Sequence, residues 1–250
     1  MTDIELRPRD LVCQPQGADR TENEMCKPTI DTAANSNTAK AATGVASGKN
    51  RGPGQIKPQK FYLISHRSHS TQAGREFLNK KAFPGWGLQP PSRFDRGFRD
   101  YPVRPRFYIS RRLGRKLQDF EKFGEYWMLS ERARSVLLSI SETDFQFFAV
   151  DTEVDPGHEP VALWLCDVIP VLDAVDKSRS NVDTVLNDLG EITHLVSGRS
   201  SLFFDENIVD SHSAFRPRTA YGFIVCNEFF KKTIRENALT GLSFRDAIKR

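Results

Sequence analysis

All 18 Phe, 5 Tyr and 3 Trp of this chain lie after residue 60. A folded core needs such side chains, because burying a large apolar group contributes roughly 1.5–3 kcal/mol against the entropy lost on ordering the backbone. The first 58 residues instead carry Thr, Ala, Asn, Gly, Lys and Pro, densest from Asp31 to Lys40 and from Ser47 to Gly54. This composition predicts a disordered N-terminal tail over 1–58 and a single folded domain over 59–250. With 38% hydrophobic residues and a mean hydropathy of −0.49, the chain has no run near the roughly 18–20 apolar residues of a membrane span. Its start, Met1 to Arg7, lacks the basic and apolar regions of a signal peptide, so the expected location is cytoplasmic, with no membrane partner. Cys13, Cys26, Cys166 and Cys226 are far apart without a Cys-x-x-Cys pair and are expected to be free thiols.

Charge divides the chain a second time. Residues 1–125 hold 23 Lys+Arg against 13 Asp+Glu, while 126–250 hold 13 against 19. The basic excess concentrates in Arg93, Arg96, Arg99, Arg104, Arg106, Arg111, Arg112, Arg115 and Lys116, facing only Asp95 and Asp100. Phe94, Phe98, Tyr101, Phe107 and Tyr108 are interleaved with these cations. Arginine beside aromatic residues suits a protein interface, and it also suits phosphate neutralisation combined with base stacking. A third reading is structural: a loop that wraps the body and pairs with the acidic half. Arg93, Arg96, Arg99, Arg104, Arg106, Phe98 and Tyr101 are therefore the candidate partner-binding residues. Pro84, Pro90, Pro91, Pro102 and Pro105, with Gly85, Gly87 and Gly97, argue against regular structure before about residue 106.

Short elements alternate in the rest of the domain. Phe61 to Ile64 reads as a strand. Ser130 caps a helix whose apolar positions Ala133, Val136, Leu137 and Ile140 recur at helical spacing. Two β-rich runs, 144–150 and 161–169, flank the turn sequence Asp155-Pro-Gly-His158 and read as an antiparallel hairpin. Val182, Val185, Leu186 and Leu189 repeat the helical spacing behind Ser178 or Ser180. Leu202 to Phe204 and Tyr221 to Cys226 read as strands, and Asn227 caps a last helix carrying Phe230, Ile234 and Ala238 that closes near Gly241. The predicted class is α+β, an antiparallel or mixed sheet with short helices.

No catalytic constellation stands out. Gly44 to Asn50 imitates a phosphate loop but has one residue too few between its glycines and lies in the tail, so it reads as linker. His66 and His69, with Glu76 as a conceivable third ligand, are read as solvated loop histidines rather than a metal site; His158, His194 and His212 are each isolated. Asp151, Glu153, Asp155, His158 and Glu159 surround the hairpin turn and read as solvated charges. Cys166 and Cys226 sit in apolar runs that bury a thiol and raise its pKa. No metal or other cofactor is expected.

Several short motifs, taken in order, resemble a known family. They are Tyr126 to Ser130 entering a helix, Phe145 to Phe148, Leu163 to Val168, Asp173 to Asp176 followed by Ser180, Leu202 to Asp205, Phe215-Arg216, Phe223 to Val225 before the final helix, and Leu239 to Phe244. Together they resemble the bacterial polymorphic-toxin immunity family, a myxococcal-type immunity domain formerly classed as a domain of unknown function. The resemblance covers about 105–247, making 59–125 the basic, Pro/Arg-rich N-terminal part and 126–250 the family-like core. It departs at Asn227, where the family commonly places a serine cap. The resemblance implies a non-enzymatic protein that binds and neutralises a toxin encoded nearby, in competition between bacteria. It also implies that Asp176, Ser180, Phe215, Arg216, Gly241 and Phe244 hold caps, turns and core. The alternatives are a nucleic-acid-binding module using 93–116 and an enzyme assembled from scattered residues such as His66, Asp151 and Arg216. Nucleic acid is not the expected partner, and a homo-oligomer is left open.

Overall fold

A computed structural model of the chain describes residues 58–67, 71–83, 88–186 and 190–248, all within one compact unit. The predicted tail, with its glycine loop, Cys13 and Cys26, lies outside the described residues, as does His69.

The chain begins with strand β1 (Phe61–His66), where the apolar run predicted it, and the short β2 (Arg75–Phe77). Residues 88–105, rich in Pro and Gly, form neither strand nor helix before β3 (Arg106–Ile109). Next come β4 (Phe120–Phe123), β5 (Tyr126–Ser130) and helix α1 (Glu131–Ile140). The Ser130 side chain accepts from the Ala133 N–H, the cap expected of it. β6 (Phe145–Val154) and β7 (Leu163–Val168) form the predicted antiparallel hairpin, Gly157 supplying a left-handed φ of 84° in its turn. The chain continues through β8 (Val171–Leu172), β9 (Asp183–Leu186), β10 (Ile192–Leu195), α2 (Glu206–Val209), β11 (Ala214–Pro217), β12 (Ile224–Asn227), α3 (Glu228–Glu236) and β13 (Leu242–Asp246).

Two larger sheets result, in the order β2-β3-β6-β7-β5-β4 and β13-β1-β12-β11-β8, with β9 and β10 pairing alone. Each larger sheet is antiparallel apart from one parallel pair, β3 with β6 and β11 with β8. The class is therefore α+β with mixed sheets and short helices. Strand alternation explains the core: Tyr62 and Ile64 of β1 join Trp127 and Leu129 of β5, Leu137 of α1 and Phe230 and Ile234 of α3 in one cluster. Phe61 and Leu63, from the other face of β1, pack with Phe204, Phe215 and Val225. Tyr126 and Met128, from the other face of β5, pack with Phe107, Leu163 and Leu165. None of the described helices is long and apolar enough to cross a membrane.

Three local expectations are corrected. The helix expected from Val182 onward is strand: Val182, Thr184, Val185, Ile192 and Thr193 are β-branched, and Leu186 and Thr184 pair with Ile192 and His194 across an antiparallel ladder. Leu202 to Phe204 makes only one isolated bridge, Phe204 with Val175, and the preceding Ser201 another with Asn181, because its backbone bonds go to separate loops and to the Ser180 hydroxyl. The last helix stops at Glu236. Ala238, not Gly241, takes the left-handed position, at φ 48°, and the Leu239 N–H closes on the Ile234 carbonyl. Gly241 opens β13 at φ 107°, where an added Cβ would lie 2.0 Å from the Phe120 carbonyl oxygen.

Candidate partner-binding surface

The Arg-rich segment is fastened to its own body. Arg93 Nη1 lies 3.0 Å from Glu191, Arg104 Nη1 lies 3.8 Å from Asp151, and Arg106 pairs with Glu153. Parallel pairing of β3 with β6 sets the last two, since it places Arg106 opposite Asp151 and Tyr108 opposite Glu153. Asp155 accepts from the Tyr108 hydroxyl at 2.6 Å and from Ser110 at 2.7 Å. Asp155 therefore anchors the basic segment, whereas Asp151, Glu153, His158 and Glu159 are exposed, as expected of turn charges, the first two beside exposed arginines. Arg99 donates to the Pro91 carbonyl. The aromatics are used in the same way: Phe98 packs on Tyr126 and Phe148, and Tyr101 on Phe83 and Phe148.

Arg96 goes furthest inward and is removed from the candidate surface. Its Nε and Nη2 grip the buried Asp167 carboxylate at 3.0 and 2.7 Å, and the Gly97 N–H adds a third bond at 2.9 Å. Arg216 Nη2 meets the same carboxylate at 3.2 Å and donates to the Glu125 carbonyl at 3.1 Å. Burial, with Arg96 beside it, pulls the Arg216 pKa down, and Asp167 opposes that pull. One acid thus ties an irregular segment to the junction of β7 and β11.

Among the described residues the lone β9–β10 hairpin carries strongly exposed apolar side chains. Val185, Leu186, Ile192 and Leu195 are all exposed, Leu186 at 70%. Leu186 and Ile192 are paired on one face with Thr184 and His194, and that face closes a cavity of about 340 Å³ with Lys177 and Ser180. His194 is buried in it with both ring nitrogens unpartnered, and burial followed by Lys177 lowers its pKa. At the hairpin's edge Arg93 pairs with Glu191 and stacks over Tyr221 at 5.0 Å, and Arg218 stacks over Phe94 at 4.5 Å. A hairpin with apolar side chains exposed on both faces and arginines on aromatic rings at its edge has the composition of an interface. A larger groove of about 890 Å³ beneath β3 has charged walls that are mostly satisfied internally, Arg132 on Asp119 at 2.9 Å and Arg115 on Glu121.

A family model for an immunity protein family (Imm11) matches residues 46–249. The chain belongs to that immunity family. The match begins well before the stretch over which the short motifs could be read, so the basic N-terminal part lies within the family too. No curated protein matches the chain.

The immunity-family motif residues lie where backbone and core are fixed. Asp176 accepts from the Ser178 hydroxyl and the N–H groups of Ser178 and Arg179, and Ser180 accepts from the Phe203 N–H at 3.0 Å. Phe215 is fully buried, and Phe244 packs on Phe230. Of the scattered residues considered for an enzyme, His66 and Arg216 line one cavity, whereas Asp151 stands on β6 beside Arg104. The solvated reading of the histidines holds for His158 alone among those described. His66 is largely buried at the end of β1, His194 is buried, and His212 Nδ1 lies 2.6 Å from the buried Asp144. Among the described residues no cluster of His, Cys, Asp and Glu could hold a metal ion. Cys166 and Cys226 are free and buried, and burial pushes both thiols well up. The hairpin surface was missed because its apolar spacing fits a helix as well as a strand.

Proposed function

We propose that this protein binds a cognate toxin domain encoded beside it and neutralises that toxin by occlusion, with the β9–β10 hairpin at the centre of the contact. The observation that carries the reading is the exposed pair Leu186 and Ile192 on one face of the hairpin, with Val185 and Leu195 exposed on the other, in a member of an immunity family. Covering the exposed Leu186 and Ile192 releases roughly 25 cal/mol per Å² of apolar surface. Arg99, exposed and held only to a backbone carbonyl, favours an acidic partner surface and faster encounter with it. Occlusion requires no catalytic group on this chain, so protection follows mass action, and about one equivalent suffices at a nanomolar dissociation constant.

The test is co-expression with the neighbouring toxin domain, co-purification, and toxin activity measured against the ratio of the two proteins. Leu186→Asp and Ile192→Asp are expected to weaken the complex at least tenfold while leaving the melting temperature nearly unchanged, because both side chains already face solvent. Full protection at a small fraction of one equivalent would show turnover and overturn occlusion. The nucleic-acid alternative requires cations free for phosphates, and five of the segment's arginines already hold carboxylates. A tight DNA or RNA complex, steeply weakened by salt and lost on replacing Arg104, Arg106, Arg111 and Arg112, would favour that alternative.

A further inference from the structure

A third cavity, of about 330 Å³, opens where the β4–β5 turn meets β1 and β12, with His66, Lys122, Glu125 and Arg216 in its walls. Its size falls at the lower end for small-ligand pockets. Two buried polar atoms of these residues, Arg216 Nε and His66 Nδ1, have no hydrogen-bond partner among the described residues. Arg216 is only 3% exposed, and a buried donor left unpaired is costly enough that each instance asks for a partner.

Charge points to what that partner is. Arg96, Arg216 and Lys122 stand against two carboxylates, Asp167 and Glu125. Asp167 is already engaged by Arg96, Arg216 and the Gly97 N–H, so it has no capacity left for Arg216 Nε. The Glu125 side chain is half-exposed and lies 3.9 Å from Arg96. The Lys122 ammonium has no carboxylate partner among the described residues. The imidazole of His66 reports the same field: burial first, then Lys122 and Arg75, lower its pKa to about 4, with Glu121 opposing. A neutral imidazole keeps one N–H to donate.

We propose that this cavity binds a small oxyanion, a carboxylate or a phosphate group, between the Lys122 ammonium, the Arg216 Nε–H and the His66 Nδ1–H. The anion has two sources, a free metabolite-sized ion or an acidic side chain presented by a partner protein, and the chemistry of recognition is the same for both. The site does not depend on the hairpin reading, since it is lined by different elements.

The test uses the full chain titrated with inorganic phosphate and with acetate at ionic strength held constant by sodium chloride. It is followed by melting temperature and by the ¹⁵N shifts of the His66 ring. A saturable rise in melting temperature accompanied by a His66 shift is expected. Lys122→Glu, a change at an exposed position, is expected to weaken binding at least tenfold, and His66→Gln to weaken it less. Arg216→Lys is the more direct variant but disturbs a buried cluster, so Lys122→Glu decides. An equal rise in wild type and Lys122→Glu, or no saturation and no His66 shift in wild type, would overturn the proposal. With the toxin complex in hand, phosphate that competes with the toxin assigns the site to a partner carboxylate. Phosphate that binds without affecting the complex assigns it to a free ion.

Discussion

Asp167→Asn should unfasten the 88–105 segment without changing the volume of the core. The carboxylate is fully buried and accepts from Arg96 twice, from Gly97 and from Arg216, at 2.7–3.2 Å. Asparagine keeps one acceptor oxygen but turns an NH₂ donor toward guanidinium donors, and it leaves two buried cations without their shared counter-charge. Removing one partner of a buried ion pair typically costs about 3–5 kcal/mol. Glu125, 3.9 Å from Arg96, offsets part of this, so a loss near ~3 kcal/mol is expected. In a domain of this size that corresponds to a fall in melting temperature of about 6–12 °C. Urea unfolding would give the energy. Brief trypsin digestion would give the location, with faster cleavage at Arg93 and Arg99 than in wild type. Replacing the whole cluster, as Asp167→Leu with Arg96→Met and Arg216→Met, should recover most of the loss, because no charge is then left buried alone. A loss below about 1 kcal/mol for Asp167→Asn, with an unchanged cleavage pattern, would refute the role given to this acid.

Gly241→Ala should cost more than about 1 kcal/mol in urea unfolding, since its Cβ would meet the Phe120 carbonyl and its φ of 107° strains any L-residue. Ala238→Gly, at φ 48°, should instead stabilise by roughly 0.5–1 kcal/mol. For His66 the folded state favours the neutral imidazole, its pKa falling from 6.5 to about 4. Its contribution is therefore neutral above pH 6.5 and increasingly destabilising as pH falls from 6.5 to about 4, a limb that His66→Gln should flatten in pH-dependent melting curves. Asn227→Ala removes the cap on the Phe230 N–H, a bond of 2.9 Å, and should cost about 1 kcal/mol by thermal unfolding.

What could be read from the sequence was what depends on neighbours along the chain. Ser130 and Asn227 announce α1 and α3 because a cap and the N–H it satisfies lie three residues apart. Asp155 to His158 announces the β6–β7 turn because its Pro and Gly favour the required backbone angles by themselves. The motif order pointed to an immunity family through short segments of the same kind, and the family match extends it to residues 46–249. The charge asymmetry of the two halves foretold that arginines and acids would meet, but not which. Tertiary structure decided that Asp183 to Leu186 forms a strand, because the same spacing suits either element until Ile192 to Leu195 pairs with it. It also decided that Arg96 and Arg216 share Asp167, 71 and 49 positions away, and that His66 and Arg216 face one cavity. Such meetings are set by sheet register, and register is fixed by which side chains bury together across the fold rather than by any local run of residues.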